Sequence, residues 1–456
     1  MHRFLILITF LMNWVGINGQ SQFSLDEAIE YGIEHQNEIL IKQKEISEAD
    51  ADIRQYKSIG MPKLNGTVNY QYYFFTPVQP TPDFLTPAVY DVLFDENVLE
   101  RRELGPPDVF ELGFVQPHNL SAGLEASMLV FDGSYLVGLR AAKLYKDLVR
   151  RQLNATEQEV RGKIAKAYIA VLIADENLGI INKNITTITT SLNEMKKIYE
   201  EGFAESLDVD RLTLSYNNLN IEKEKIEGLI QLSKNLLKFQ MNFPIDNKIE
   251  LTDEIDDLVD MELALQNYNE INYDNRAEFA VLNTGRALNE LDVERNKKAY
   301  LPSIRLFANL QGSLLRRNLF DGEESGILPT GLAGIGISLP LYDGGDKSAR
   351  IQKAKISIEK TDIQIASFKN AVQLQVNNAR ISLINAQKSL VNTQKALAIN
   401  ENIYDKTQIK FREGVGSSVE ITQAENSLYQ AQGAYINALY DLLSAQTEWY
   451  IALGII

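Results

Sequence analysis

Side chains able to do covalent chemistry are scarce in this sequence. It has no cysteine and only three histidines in 456 residues. That removes disulfides, thiolate metal sites, a cysteine nucleophile and any lipid on an N-terminal cysteine. His2, His35 and His118 lie far apart, with no second ligand at metal spacing. The densest run of carboxylates, Asp253-Glu254-Ile255-Asp256-Asp257, lacks the glycine turn and ligand spacing of a calcium loop and reads as a solvated linker. Two other acids recur in one context. Tyr199, Gly202 and Asp208 are spaced as Phe411, Gly414 and Glu420 are: an aromatic, a glycine three residues on, an acid six beyond. Such glycines allow the positive φ that reverses a helix in a few residues, and acids so placed complement a helix N-terminus. No catalytic residue, metal site or cofactor is expected.

The formal net charge of −16 argues against nucleic acid, or an anionic membrane surface, as a general partner. Residues 1–20 have the layout of a secretory signal peptide: Met1-His2-Arg3, an apolar run from Phe4 to Val15, then Gly16 to Gln20. The run is shorter than the roughly 18 to 20 residues of a spanning helix. Beyond it no apolar run is long enough to span, so the chain must cross a membrane, if it does, as a closed sheet.

The elements that position the two acids come from internal repetition. Met61-Pro62-Lys63-Leu64 answers Leu301-Pro302-Ser303-Ile304; Phe131-Asp132-Gly133 answers Tyr342-Asp343-Gly344; Glu201-Gly202-Phe203 answers Glu413-Gly414-Val415. The chain therefore reads as two structural repeats, 21–250 and 251–456. The first carries an insertion between Pro62 and Asp132, where seven of the twelve prolines fall: Pro77, Pro80, Pro82, Pro87, Pro106, Pro107 and Pro117. That density predicts a long loop over 75–117.

Flanking the insertion, the apolar period is two, as a sheet requires. Leu64, Gly66, Val68, Tyr70, Tyr72 and Phe74 alternate with polar residues, and Leu120 to Val130 do the same. The second repeat predicts a weaker strand hairpin over 303–341. Each stretch has about the length a tilted strand needs to cross an outer membrane, and Tyr70 to Phe75 crowd one end as an interfacial girdle does. The remainder reads as helix. Ile351, Ile358, Ile365, Val372, Ala379 and Ala386 repeat every seven residues, and Leu383, Leu390, Leu397, Tyr404 and Phe411 continue the period displaced by four. This is a left-handed coiled coil with a stutter, on the order of 100 Å long. Hairpin tips fall near 199–208 and 411–420.

Four strands cannot close a barrel, and open edges in lipid leave backbone groups unpaired. Other copies must complete it; three chains give twelve strands, enough to leave a passage. The fold class is mainly α with a transmembrane β-barrel part.

In these landmarks the sequence resembles the TolC-like outer-membrane efflux proteins over essentially the whole mature chain. The junctions at Pro62, Pro302, Asp132-Gly133 and Asp343-Gly344 and the glycine hairpin turns, in order and twice, carry the resemblance. It implies a homotrimer with a twelve-stranded barrel in the outer membrane of a Gram-negative bacterium and coiled-coil hairpins forming a periplasmic tunnel. A periplasmic adaptor (membrane fusion protein) and an inner-membrane transporter are the implied partners, with outer-membrane lipid and no nucleic acid. The implied function is a passive conduit for efflux or type I secretion. By the same resemblance the tips, Gly202-Phe203-Ala204 and Gly414-Val415-Gly416, bind the adaptor, and Asp208 and Glu420 match acids at the constriction. Where the family's best-known members have an arginine and a second aspartate, this sequence has Gly416 and Gln423, so closure is expected to rest on Phe411 and Val415. The competing expectation is an extended coiled-coil protein of the envelope without a channel, which has no use for the four strands.

Overall fold

A computed structural model describes residues 21–106, 108–113, 115–263, 271–318 and 326–456. The signal-peptide assignment, residues 1–20, lies outside them. The described chain is mostly helical and divides into two units. One comprises the described residues up to Asp50 with Leu144–Leu288 and Ser357–Ile456; the other comprises Ala51–Lys143 and Asn289–Ile356.

The helices are α1 (Leu25–His35), α2 (Asn37–Ser58), α3 (Leu85–Asp95), α4 (Gly133–Glu200), α5 (Ser206–Met241), α6 (Ile255–Leu258), α7 (Ala277–Lys298), α8 (Asp346–Arg412) and α9 (Ser418–Leu453). The strands are β1 (Ser21–Phe23), β2 (Lys63–Tyr72), β3 (Gln79–Pro82), β4 (Val109–Leu112), β5 (His118–Phe131), β6 (Ile249–Leu251), β7 (Ser303–Arg316) and β8 (Leu328–Ser338).

In the first unit, α4 turns back as α5 and α8 turns back as α9. The seven-residue stripe supplies part of the core: Val372, Ala379, Leu383, Ala386 and Leu390 are buried with Leu439, Leu442 and Trp449 of α9. Small residues such as Ala424, Ala431 and Ala438 are buried on α9, letting helix backbones approach, whereas Ala434 faces out. Around Tyr168, a second cluster joins α1, α4 and α5 to the parallel pair β1 and β6. The Tyr168 hydroxyl donates to the Phe23 carbonyl at 2.9 Å.

Two of the acids after β6 serve as caps. Asp253 Oδ2 accepts the first amide of α1, from Leu25, at 2.7 Å, and Asp260 Oδ1 accepts from Glu262 and Leu263. These are donors that helix and turn geometry leave without a partner. Arg276, almost wholly buried, reaches Glu278, the Gln375 amide oxygen and the Ala452 carbonyl, tying α7, α8 and α9 together.

The second unit is built on one sheet of order β2-β5-β7-β8, antiparallel throughout. Its register sorts the side chains by face. Leu64, Val68, Leu124, Leu120, Leu306, Leu310, Ile335 and Ile337 share one face. Asn65, Thr67, Asn69, Gln71, Glu125, Ser121, Asn309, Gln311 and Thr330 share the other, with Phe307 laid over Gly334. Val68 is 74% exposed and Ile335 66% exposed, so the described residues leave much of the apolar face uncovered.

The expectation of a loop over 75–117 needs correction. β3 and β4 pair as an antiparallel ladder, and α3 stands between them. Prolines coexist with this structure through their positions. Pro80 and Pro82 lie in a two-stranded ladder, where no second neighbour needs their missing N–H, and Pro87 falls in the first turn of α3, where amides have no intrahelical acceptor. Asp83 caps that helix, its Oδ1 accepting from the Leu85 and Thr86 amides at 3.0 Å.

Candidate functional site

The two tips share one backbone design. After α4, the Gly202 amide donates to the Tyr199 carbonyl and the Phe203 amide to the Ile198 carbonyl; after α8, Gly414 donates to Phe411 and Val415 to Lys410. Both are Schellman closures, with φ of +81° at Gly202 and +74° at Gly414. Each return helix begins after five residues, and the acid occupies the third helical position in both. Asp208 Oδ2 accepts the Glu205 amide at 3.3 Å, and the Glu420 amide donates to Ser417 Oγ at 3.2 Å. Glu420 and Val415 are exposed, Asp208 is half-buried, Phe203 is 82% exposed, and Ala204 packs onto the core of its own hairpin. Gly416 leaves little room, since a Cβ there would stand 3.0 Å from the Phe411 nitrogen. Phe411 is half-buried and touches the apolar clusters of both hairpins.

Between the tips lies a cleft of about 930 Å³. It brings together Asp208, Phe411, Gly202, Phe203, Ala204, Gly414 and Gly416, with Glu194, Glu201, Glu205, Arg211 and Arg412. Glu420 and Val415 do not line it.

Several residues that join the hairpins here have no distinguishing spacing in the sequence. Arg211 Nη1 donates to Ser418 Oγ at 2.7 Å, Arg412 Nε pairs with Glu194 at 3.2 Å, Gln408 Nε2 donates to Ser191 Oγ at 3.4 Å, and the Asn184 amide donates to Gln432 at 2.6 Å. Within each hairpin the packing is apolar, whereas between them a ladder of polar contacts is added. The available signal was polar residues beside apolar stripes, such as Glu425 next to Ala424.

The strand-helix junctions are built for sharp changes of direction. Pro62 and Pro302 stand immediately before β2 and β7. Asp132 Oδ1 accepts from Ser134 Oγ and from the Tyr135 amide at 2.9 Å, capping α4. A Cβ on Gly133 would sit 2.9 Å from the Lys298 carbonyl oxygen and from Leu301, a close approach only glycine allows. At the second junction Asp343 accepts the Gly345 amide and, at 3.1 and 3.0 Å, the Lys347 amide and ammonium. The bonds from Lys347 hold its carboxyl below the usual carboxylate range. Gly344 and Gly345 take φ of +66° and +92°.

His118, at the opposite end of the sheet, stands beside rings rather than other ligands. Its Nδ1 shares a 2.8 Å hydrogen bond with the Tyr70 hydroxyl, and the Tyr72 ring lies 4.8 Å away.

Comparison with known proteins places this architecture. The family model described as outer membrane efflux protein matches residues 274–455. The probable efflux pump outer membrane protein TtgC of Pseudomonas putida is 22% identical over 309 residues, covering 66% of this chain and 61% of TtgC. The chain thus spans about six-tenths of that relative's length. The proteases secretion protein PrtF of Dickeya chrysanthemi is 19% identical over 310 residues, 66% of each chain. The fold of CusC superposes with a TM-score of 0.72 at 15% identity, covering 94% of this chain and 92% of that one. Over residues 274–455 the chain matches the outer membrane efflux protein family, the TolC-like family its motifs resemble. Its place is the outer membrane of a Gram-negative bacterium. The family and its structural neighbours are channel proteins.

Proposed function

We propose that this chain is the outer-membrane channel of a tripartite efflux or type I secretion system, a passive trimeric conduit with no catalytic site of its own. The observation that carries the reading is the sheet. One face is apolar except at the end where Tyr70, Tyr72, His118 and Arg316 stand, and is largely left exposed by the described residues; the other is largely polar, and β2 and β8 are the edges of the sheet. A lipid-facing wall and a wet lumen are what those faces suit. With four strands alternating in direction, β8 of one copy meets β2 of the next antiparallel, so the pattern continues around a ring, and three copies give twelve strands.

The helices support the same assembly. Leu207, Leu214 and Ile221 on α5, and Ile363, Leu374 and Ile381 on α8, are apolar residues at coiled-coil spacing that the described residues leave exposed. A second copy covers them in a tunnel of hairpins on the periplasmic side. The matched lengths of α4 and α8, 68 and 67 residues, and of α5 and α9, 36 each, favour descent of 21–250 and 251–456 from one repeat.

At the tips, Asp208 and Glu420 repeat by threefold symmetry as carboxylate rings that favour cations. Phe411 acts on the constriction by setting the spacing of the hairpins. Gly202, Phe203, Ala204, Gly414, Val415 and Gly416 receive the periplasmic adaptor, which links the channel to an inner-membrane transporter. The apolar sheet face has no role in a purely structural coiled coil. Purified protein in a planar bilayer tests the reading: stepwise ion conductance supports it, and folded protein that never conducts refutes it.

A further inference from the structure

Glu425 lies one to two turns into α9 from the tip and is 2% exposed. Its Oε1 accepts from the Tyr429 hydroxyl at 2.8 Å on the same helix. From α5 the Ser215 hydroxyl hydrogen-bonds to it, and on α8 the buried Tyr404 lies within reach of its charge, with Tyr404 in turn bonded to Ser191 of α4. Asp405 and Arg412 act on Tyr404 from its own helix. Among the described residues no lysine or arginine forms an ion pair with Glu425; Arg211, on the neighbouring helix, is directed to Asp208 and Ser418 instead. A carboxyl thus sits where the two hairpins meet, surrounded by hydroxyls and without a cation.

We propose that Glu425 is a proton-operated latch between the hairpins, engaged when its carboxyl carries a proton and released when it loses it. The inference rests on the channel reading for its purpose but on this cluster for its mechanism. Neutral, the carboxyl fits a buried site whose partners are hydroxyls. Ionised, it must be rehydrated, because an unpaired charge in such a site is unfavourable. Water reaches it most easily by parting α5 from α9, and the polar ladder on either side tolerates that separation better than an apolar seam. Burial raises the Glu425 carboxyl above the usual range, outweighing the bonds from Tyr429 and Ser215. A group whose pKa is higher in the packed state stabilises that state below its ordinary pKa, and the contribution is lost as pH rises through the raised value. Release therefore comes on the alkaline side.

The test uses the whole channel and the absence of cysteine. Phe203→Cys and Val415→Cys carry spin labels on the two tips, and the distance between them is followed from about pH 5 to about pH 9, with conductance measured in parallel. The distance is expected to lengthen as pH rises, with the open fraction changing by about tenfold for each unit by which the two states' pKa values differ. Glu425→Gln, which stays neutral, is expected to keep the short distance throughout, and Tyr429→Phe to move the transition. Identical profiles for the parent and Glu425→Gln overturn the latch. Protein that never conducts while its tip distance still follows pH counts against the channel reading and leaves the latch supported.

Discussion

Arg211 Nη1 and Ser418 Oγ, 207 residues apart in the chain, lie 2.7 Å from each other and join the second turn of α5 to the first residue of α9. The same guanidinium stands 3.9 Å from Asp208. One side chain thus holds an acid of the proposed constriction and the opposite hairpin together. Arg211→Ala removes both contacts. A single hydrogen bond to a partly exposed charged group contributes about 1 kcal/mol, so the open fraction of single channels is expected to rise about fivefold. An unchanged open fraction shows that the contact does not hold the tip.

Glycine matters at the tips and at the junction for different reasons, and substitution separates them. Gly414→Ala meets only the strain of a positive φ, about 1 kcal/mol, because no atom lies within 4 Å of its Cβ. Gly133→Ala drives a methyl against the Lys298 carbonyl oxygen, and the backbone must shift. The yield of heat-stable oligomer is expected to fall more for Gly133→Ala than for Gly414→Ala; the reverse order places the critical geometry at the tip.

The two faces of the sheet differ in what they tolerate. Val68→Lys puts a charge on the apolar face and is expected to destabilise membrane insertion by about 2–4 kcal/mol, whereas Thr67→Lys, one residue away on the polar face, is nearly silent. Urea titrations of protein folded into lipid vesicles measure both. Equal effects contradict the assignment of faces.

Arg276 supplies a pH dependence of opposite sign to that of Glu425. Burial acts to raise the Glu278 carboxyl, but the bonds from Arg276 outweigh it, and the carboxyl lies below its ordinary value of 4.5. A depressed pKa contributes stability above the ordinary value and loses it as pH falls through the folded one. Arg276→Ala is expected to cost about 2 kcal/mol near neutrality, discounted because Glu278 is half-exposed, and to flatten the acid limb of the stability profile below about pH 4.5. An acid limb as steep as the parent's assigns that stability elsewhere.

How far these features can be read in the sequence depends on how local their cause is. Alternation along Leu64 to Tyr72 and the seven-residue stripe through Val372 and Ala379 are legible because strand and coiled-coil geometry write their periods into neighbouring residues. Gly202 and Gly414 are legible because reversing a helix so tightly favours glycine. The segment from β3 to β4 is not: proline density points to a loop, and only the pairing of Gln79–Pro82 with Val109–Leu112 reveals where those prolines are harmless. The polar ladder is hidden for another reason. Asn184 and Gln432, or Ser215 and Glu425, meet only after two hairpins fold and dock, and no local period marks the pairing.

Four strands that form one third of a closed wall must meet strands of other copies at both edges, and the cysteine-free chain allows that to be measured directly. In one chain β2 and β8 are separated by two strands, about 14 Å across, beyond the roughly 7 Å that a disulfide spans between Cα atoms. Any disulfide between them must therefore join different copies. Thr67→Cys or Asn69→Cys, each combined with Leu332→Cys or Gly334→Cys, scans the register of that seam. After oxidation in the membrane, at least one pair is expected to give a covalent ladder ending at three chains. A ladder ending at another number, or monomer alone from every pair, contradicts the twelve-stranded barrel.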